Sequence, residues 1–142
     1  MKTISTSKFI SAFFIVLFLA WVNLAFTTTT PDEAKPWNAP ESAKKIKNPL
    51  KGDAASLVEG KTLYMKHCKS CHGVKGLGDG PKSKELDTDC GDFSKKAFQS
   101  QTCGEILYKI KEGRDDMPSF KKKITDQDEL WSIINYVRTL AK

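Results

Sequence analysis

Residues 68–72 read Cys-Lys-Ser-Cys-His, and no other feature constrains the chain as strongly. Two cysteines about one helical turn apart lie on the same side of the backbone, and the histidine that follows points from that side as well. Three chemistries use a C-x-x-C pair. A zinc site needs a second ligand pair at similarly short spacing, whereas the remaining cysteines, Cys90 and Cys103, are thirteen positions apart. A thioredoxin-like redox pair needs a preceding strand in a βαβ setting, but the pattern before Cys68 is helical and no β-rich segment occurs. The remaining chemistry is covalent attachment of a c-type haem, for which C-x-x-C-H is the sequence form. There the two sulfurs are consumed as thioethers to the porphyrin, and His72 offers its imidazole to the iron.

Directly after His72 comes Gly-Val-Lys-Gly-Leu-Gly-Asp-Gly-Pro, residues 73–81. A phosphate-cradling loop would follow a strand and end in G-K-[ST], and neither is present. These glycines instead suit backbone that passes close to a flat ring and turns with positive φ. The combined run C-x-x-C-H-G-x-x-G-x-G-D-G-P resembles that of small bacterial class I cytochromes c. The resemblance covers about residues 54–142. It implies an all-α fold of three main helices plus short helices and loops, wrapped around one covalently bound haem c.

The resemblance also implies roles. Cys68 and Cys71 would hold the haem, and His72 would ligate the iron. Pro81, the matching proline, would accept the His72 Nδ1–H bond on its carbonyl. Met117, within Gly-Arg-Asp-Asp-Met-Pro at 113–118, looks like the methionine of the loop that supplies the sixth ligand. Of the other two methionines, Met1 lies in the leader and Met65 shares the helix of the attachment cysteines. Filling a core gap is the other role open to Met117. A His/Met pair raises the haem potential and leaves no vacant coordination position. That implies an electron carrier; a small haem enzyme or haem-based sensor would need a displaceable sixth ligand.

The helical segments fit the same picture. Asp53 is a candidate N-cap for a helix from about Ala54 to His67, with Leu57, Gly60, Leu63 and Tyr64 on its packing face. Leu130, Ile133, Ile134, Val137 and Leu140 recur at helical spacing, behind a candidate capping box at Asp126 and Glu129. A third helix runs from about Gly104 to Glu112, and Gly113 stops it. The resemblance implies that Gly60 and Tyr64 pack across the last helix near Ile133 and Tyr136.

Lys2 and Lys8 precede an apolar stretch from Phe9 to Phe26, interrupted only by Ser11 and Asn23. Positive charge ahead of such a stretch directs export, so the chain is expected on the periplasmic side of the cytoplasmic membrane. Residues 1–26 are either a signal peptide or an N-terminal membrane anchor. The stretch is near the lower length limit of a spanning helix, and its small-residue cleavage sites are poor. Residues 27–49, rich in Thr, Pro and Lys, read as a semi-extended linker, and 50–142 as the cytochrome c domain. In an exported domain, Cys90 and Cys103 suggest a disulfide. The net charge of +6 has no basic tract interleaved with aromatics, so nucleic acid is not an expected partner. The expected partners are redox proteins, including a membrane respiratory complex.

Overall fold

The computed structural model describes residues 36–141. The leader and the first part of the linker lie outside them. The helices are α1 (Glu41–Lys44), α2 (Ala54–His67), α3 (Lys69–His72), α4 (Lys96–Gln99), α5 (Cys103–Glu112) and α6 (Gln127–Arg138), with one 3₁₀ turn at Ser83–Glu85. Among the described residues there is no strand, only an isolated bridge between Arg114 and Met117, and no helix is long and apolar enough to cross a membrane. The fold is all-α.

Asp53 caps α2 through a 2.6 Å bond from Ser56 N–H to its Oδ1. Across α2 lies α6, and the two approach most closely at Gly60. A Cβ there would collide with the Ser132 carbonyl, so the crossing distance requires glycine. One turn on, Tyr64 is 0% exposed, and its ring lies 5.2 Å from that of Tyr136. Ile106, Leu107 and Ile110 of α5 complete the core with Leu130, Trp131, Ile133, Ile134 and Val137 of α6. Phe120 and Ile124 join them from the segment between these helices. Gly113, at φ 68°, ends α5.

Two local readings need correction. Asp126 caps α6 by accepting from Asp128 N–H at 2.9 Å, one position earlier than a capping box requires. The reciprocal box forms instead on α5, where Thr102 and Glu105 exchange bonds of 2.6 and 3.2 Å. The second half of the linker is also folded. The compact unit begins at Trp37, Ala39 and Ala43 are each 6% exposed, and the Ala43 carbonyl packs where Gly104 has no side chain. Asn48 is buried and donates to Asn135 Oδ1 at 2.9 Å. Asn135 in turn donates to the Leu50 carbonyl and Ser56 Oγ at 2.6 and 2.7 Å. Burial here uses alanines, backbone and amides, while Ile46 stays exposed, so the apolar pattern did not reveal it.

Candidate functional site

The attachment motif occupies a break in the helix. Cys68 closes α2 with its N–H on the Tyr64 carbonyl at 2.8 Å, and its own carbonyl accepts from Cys71 and His72 N–H at 3.2 and 3.0 Å. Cys68, Cys71 and His72 therefore share one tight turn rather than the straight continuation of α2. Burial, with Cys71 adding to it, pushes the Cys68 thiol up to about 12. Its sulfur is packed against the apolar core as a neutral group, which suits an atom destined for a thioether. The Tyr64 hydroxyl donates to the Gly73 carbonyl at 2.7 Å, tying the loop after the motif back to α2. Gly73, Gly76 and Gly78 all have positive φ.

His72 Nδ1 lies 2.8 Å from the carbonyl oxygen of Cys90. A ring nitrogen meets a carbonyl only by donating, so Nδ1 carries the proton and Nε2 is the nitrogen left to ligate. Burial lowers the affinity of the ring for a second proton, while the Cys90 bond acts the other way. Phe93 flanks the imidazole at 4.5 Å between centroids, and Phe98 stacks behind it at 4.3 Å.

The acceptor expected at Pro81 is thus supplied by Cys90. Pro81 is exposed, because its neighbours Gly80 and Lys82 bond the Cys71 and Ser70 carbonyls at 3.1 and 2.8 Å. Those bonds spread the loop along the outside of the attachment turn. Phe93 N–H, bonded to the Gly76 carbonyl at 2.7 Å, brings the 90–93 segment under His72 instead. A backbone carbonyl carries no sequence signature, so nothing in the chain announced Cys90 in this role. The disulfide reading also needs correction: all four cysteines are unbridged. Cys90 feels the Cys71 thiol, whereas Cys103 Sγ lies 4.0 Å from Arg138 Nη2. The two thiols have different neighbours, which an oxidising compartment alone does not reveal.

Met117 is partly buried against the same apolar core as Cys68 and Phe93. Its N–H and carbonyl exchange 2.8 Å bonds with those of Arg114, which closes the loop tightly. Arg114 stacks on the Trp37 ring at 4.8 Å and pairs with Asp115 at 3.2 Å. His67 packs edge-on against Phe120 at 6.2 Å. Among the described residues no three of His, Cys, Asp and Glu converge as a bare metal site, so the Cys68–His72 turn does not have the donor set of a zinc centre. Two unbridged cysteines and a neutral histidine presenting Nε2 from one turn do fit a covalently held haem.

Residues 55–137 match the model of the family described as cytochrome C oxidase, cbb3-type, subunit III. The chain belongs to this cytochrome c family. The matched stretch contains every residue assigned to the haem, and membership implies covalently bound haem c and electron transfer through it. Among solved structures, the cytochrome is similar to a chain of the Kuenenia stuttgartiensis reducing HAO-like protein complex Kustc0457/Kustc0458, at 27% identity and TM-score 0.60. That match covers 78% of the cytochrome but 53% of the other chain, about half its length. It is also similar to the KustC0563 c-type cytochrome, at 32% identity and TM-score 0.52, over 58% of this chain and 98% of that one. No match was found among curated proteins.

Proposed function

We propose that the cytochrome carries single electrons through one haem c, bound by Cys68 and Cys71 and ligated by His72 Nε2 and Met117 Sδ. The observation that carries this reading is the His72–Cys90 bond, which fixes the imidazole tautomer and leaves Nε2 as the ligand atom. Met117, in a closed loop against the shared core, supplies the thioether. Bound haem supplies a reversible ferric–ferrous couple. The protein's contribution is to hold both ligands still, so that little reorganises when the charge changes. With His72 and Met117 both holding the iron, no position would be left for a substrate, which favours a carrier over an enzyme. The leader supports a position on the periplasmic side of the cytoplasmic membrane, and the partners are redox proteins met there. A place as haem subunit of a larger assembly is supported by the likeness to a chain of a multi-protein complex.

Visible and magnetic spectra of both oxidation states test the reading. A low-spin His/Met signature that is unreactive towards carbon monoxide is expected, together with one haem per chain. Met117→His should keep the iron six-coordinate and lower its potential, because a thioether favours ferrous iron more than imidazole does. An unchanged potential would remove Met117 from the iron.

A further inference from the structure

Asp116, next to Met117, is an exposed carboxylate with a long-range role. Its Oδ2 accepts both the Thr88 N–H at 3.0 Å and the Thr88 hydroxyl at 2.7 Å. The partners are 28 residues apart, in two segments without regular structure. Thr88 lies two residues before Cys90, whose carbonyl holds the His72 Nδ1–H. Asp116 lies one residue before Met117, inside the turn closed by the reciprocal Arg114–Met117 bonds. A single carboxylate oxygen therefore joins the segment that orients one assigned ligand to the loop that carries the other.

We propose that the Asp116–Thr88 pair is a clasp that couples the two axial ligands, with both residues acting as positioning residues. The inference rests on the reading of His72 and Met117 as ligands. The clasp acts by taking up slack. The 86–91 segment has no helix or strand to hold it, and Gly91 N–H bonds only locally, to Asp89 Oδ1 at 2.8 Å. Two charge-assisted bonds at Thr88 limit the travel of the Cys90 carbonyl, and hydrogen bonds to an ionised acceptor are the stronger kind. The same bonds limit how far the Met117 loop swings outward. Loosening either end loosens the other, because the restraint is shared.

The test uses the haem-loaded protein and reads each ligand separately. Displacement of Met117 by added imidazole reports on the methionine side, and hydrogen exchange of the His72 Nδ1–H in the ferrous state reports on the histidine side. Asp116→Ala should speed both by about fivefold, because the two bonds are solvent-exposed and together contribute about as much as one net hydrogen bond. Thr88→Val should move both in the same direction, and the double variant should add little beyond Asp116→Ala. Thr88→Ser, which keeps the hydroxyl, should remain near the parent, and Asp116→Asn, which keeps an acceptor but not its charge, should fall between the parent and Asp116→Ala. Both sites are surface positions, so unchanged helicity and melting temperature will show that the variants fold. Faster methionine displacement with unaltered Nδ1–H exchange would overturn the coupling, as would no change in either. If the parent protein itself lacks a His/Met spectrum, the ligand assignment fails first, and that result is visible before any variant is made.

Discussion

Where α2 crosses α6 the backbones meet at Gly60 and the contact around it is made by side chains: Tyr64 against the half-buried Tyr136, with Leu130, Ile133 and Ile134 in the buried apolar core. In the loops that lead to the ligands the contact is made by backbone. Gly78 and Gly80 N–H bond the His72 and Cys71 carbonyls at 2.9 and 3.1 Å, Phe93 bonds Gly76, and Arg114 bonds Met117. Apolar burial is strong and indifferent to direction, while each hydrogen bond contributes only about 0.5–1.5 kcal/mol but dictates geometry. Damage should therefore take different forms in the two regions. The crossing fails by unfolding, and the loops fail by misplacing a ligand in a protein that still folds.

The sharpest challenge to that division is Gly60→Val. The new side chain meets the Ser132 carbonyl, a backbone atom in the middle of α6, so the helices must separate. Overpacking of this kind should cost about 3 kcal/mol, measured by denaturant unfolding of the haem-loaded protein. A loss below about 1 kcal/mol would show that the crossing yields more readily than close packing predicts. Asn135→Ala probes a polar knot set in the same apolar layer. It removes three bonds, to the Leu50 carbonyl, to Ser56 Oγ and from the Asn48 amide, at about 2 kcal/mol in all. Adding Asn48→Ala should cost less than the sum of the two single losses, because they share one network.

Tyr64 belongs to both regions, its ring in the crossing and its hydroxyl on the Gly73 carbonyl. Tyr64→Phe keeps the first contact and cuts the second. About 1 kcal/mol should be lost, and amide exchange at Gly76 and Gly78 should quicken while that of α6 stays slow. Slowed and quickened amides spread evenly over both regions would erase the distinction between them. The smallest effect is expected at Glu105. The Thr102 backbone N–H holds its carboxyl below the ordinary value near 4.5. A depressed folded value means that its contribution is present above the unfolded value and is lost as pH falls through the folded one. Exposure limits this to a few tenths of a kcal/mol. Glu105→Gln, which keeps an acceptor, should remove that pH dependence when stability is followed from pH 6 to pH 3.

The crossing was legible in the sequence, and most of the ligand loops were not. Gly60 and Tyr64 facing α6 followed from the family resemblance, while Asp53 capping α2 and Gly113 ending α5 were readable because caps and stops are local properties of residue type. The cluster at Cys68, Cys71 and His72 was readable for the same reason, since its members are neighbours in the chain. Four matters were not readable. The His72 acceptor is a carbonyl, and carbonyls are identical at every position. Residues 37–49 hide their burial behind two alanines and an asparagine. Cys90 and Cys103 differ in their neighbours and not in their type. Asp116 and Thr88 meet across a sequence gap that no motif spans.

Composition and spacing alone thus determined that the chain is helical and that one turn of it is made for haem, while Met117 as a partner from another segment rested on the family resemblance. The first two are statements about residue types at short range, where covalent geometry leaves few alternatives. Only the tertiary structure decided which carbonyl accepts from His72, where the folded unit begins and which exposed carboxylate ties the 86–91 segment to the Met117 loop. Each of those outcomes depends on how loops without regular structure pass one another. There, one or two hydrogen bonds choose among paths that the sequence leaves nearly equal in energy.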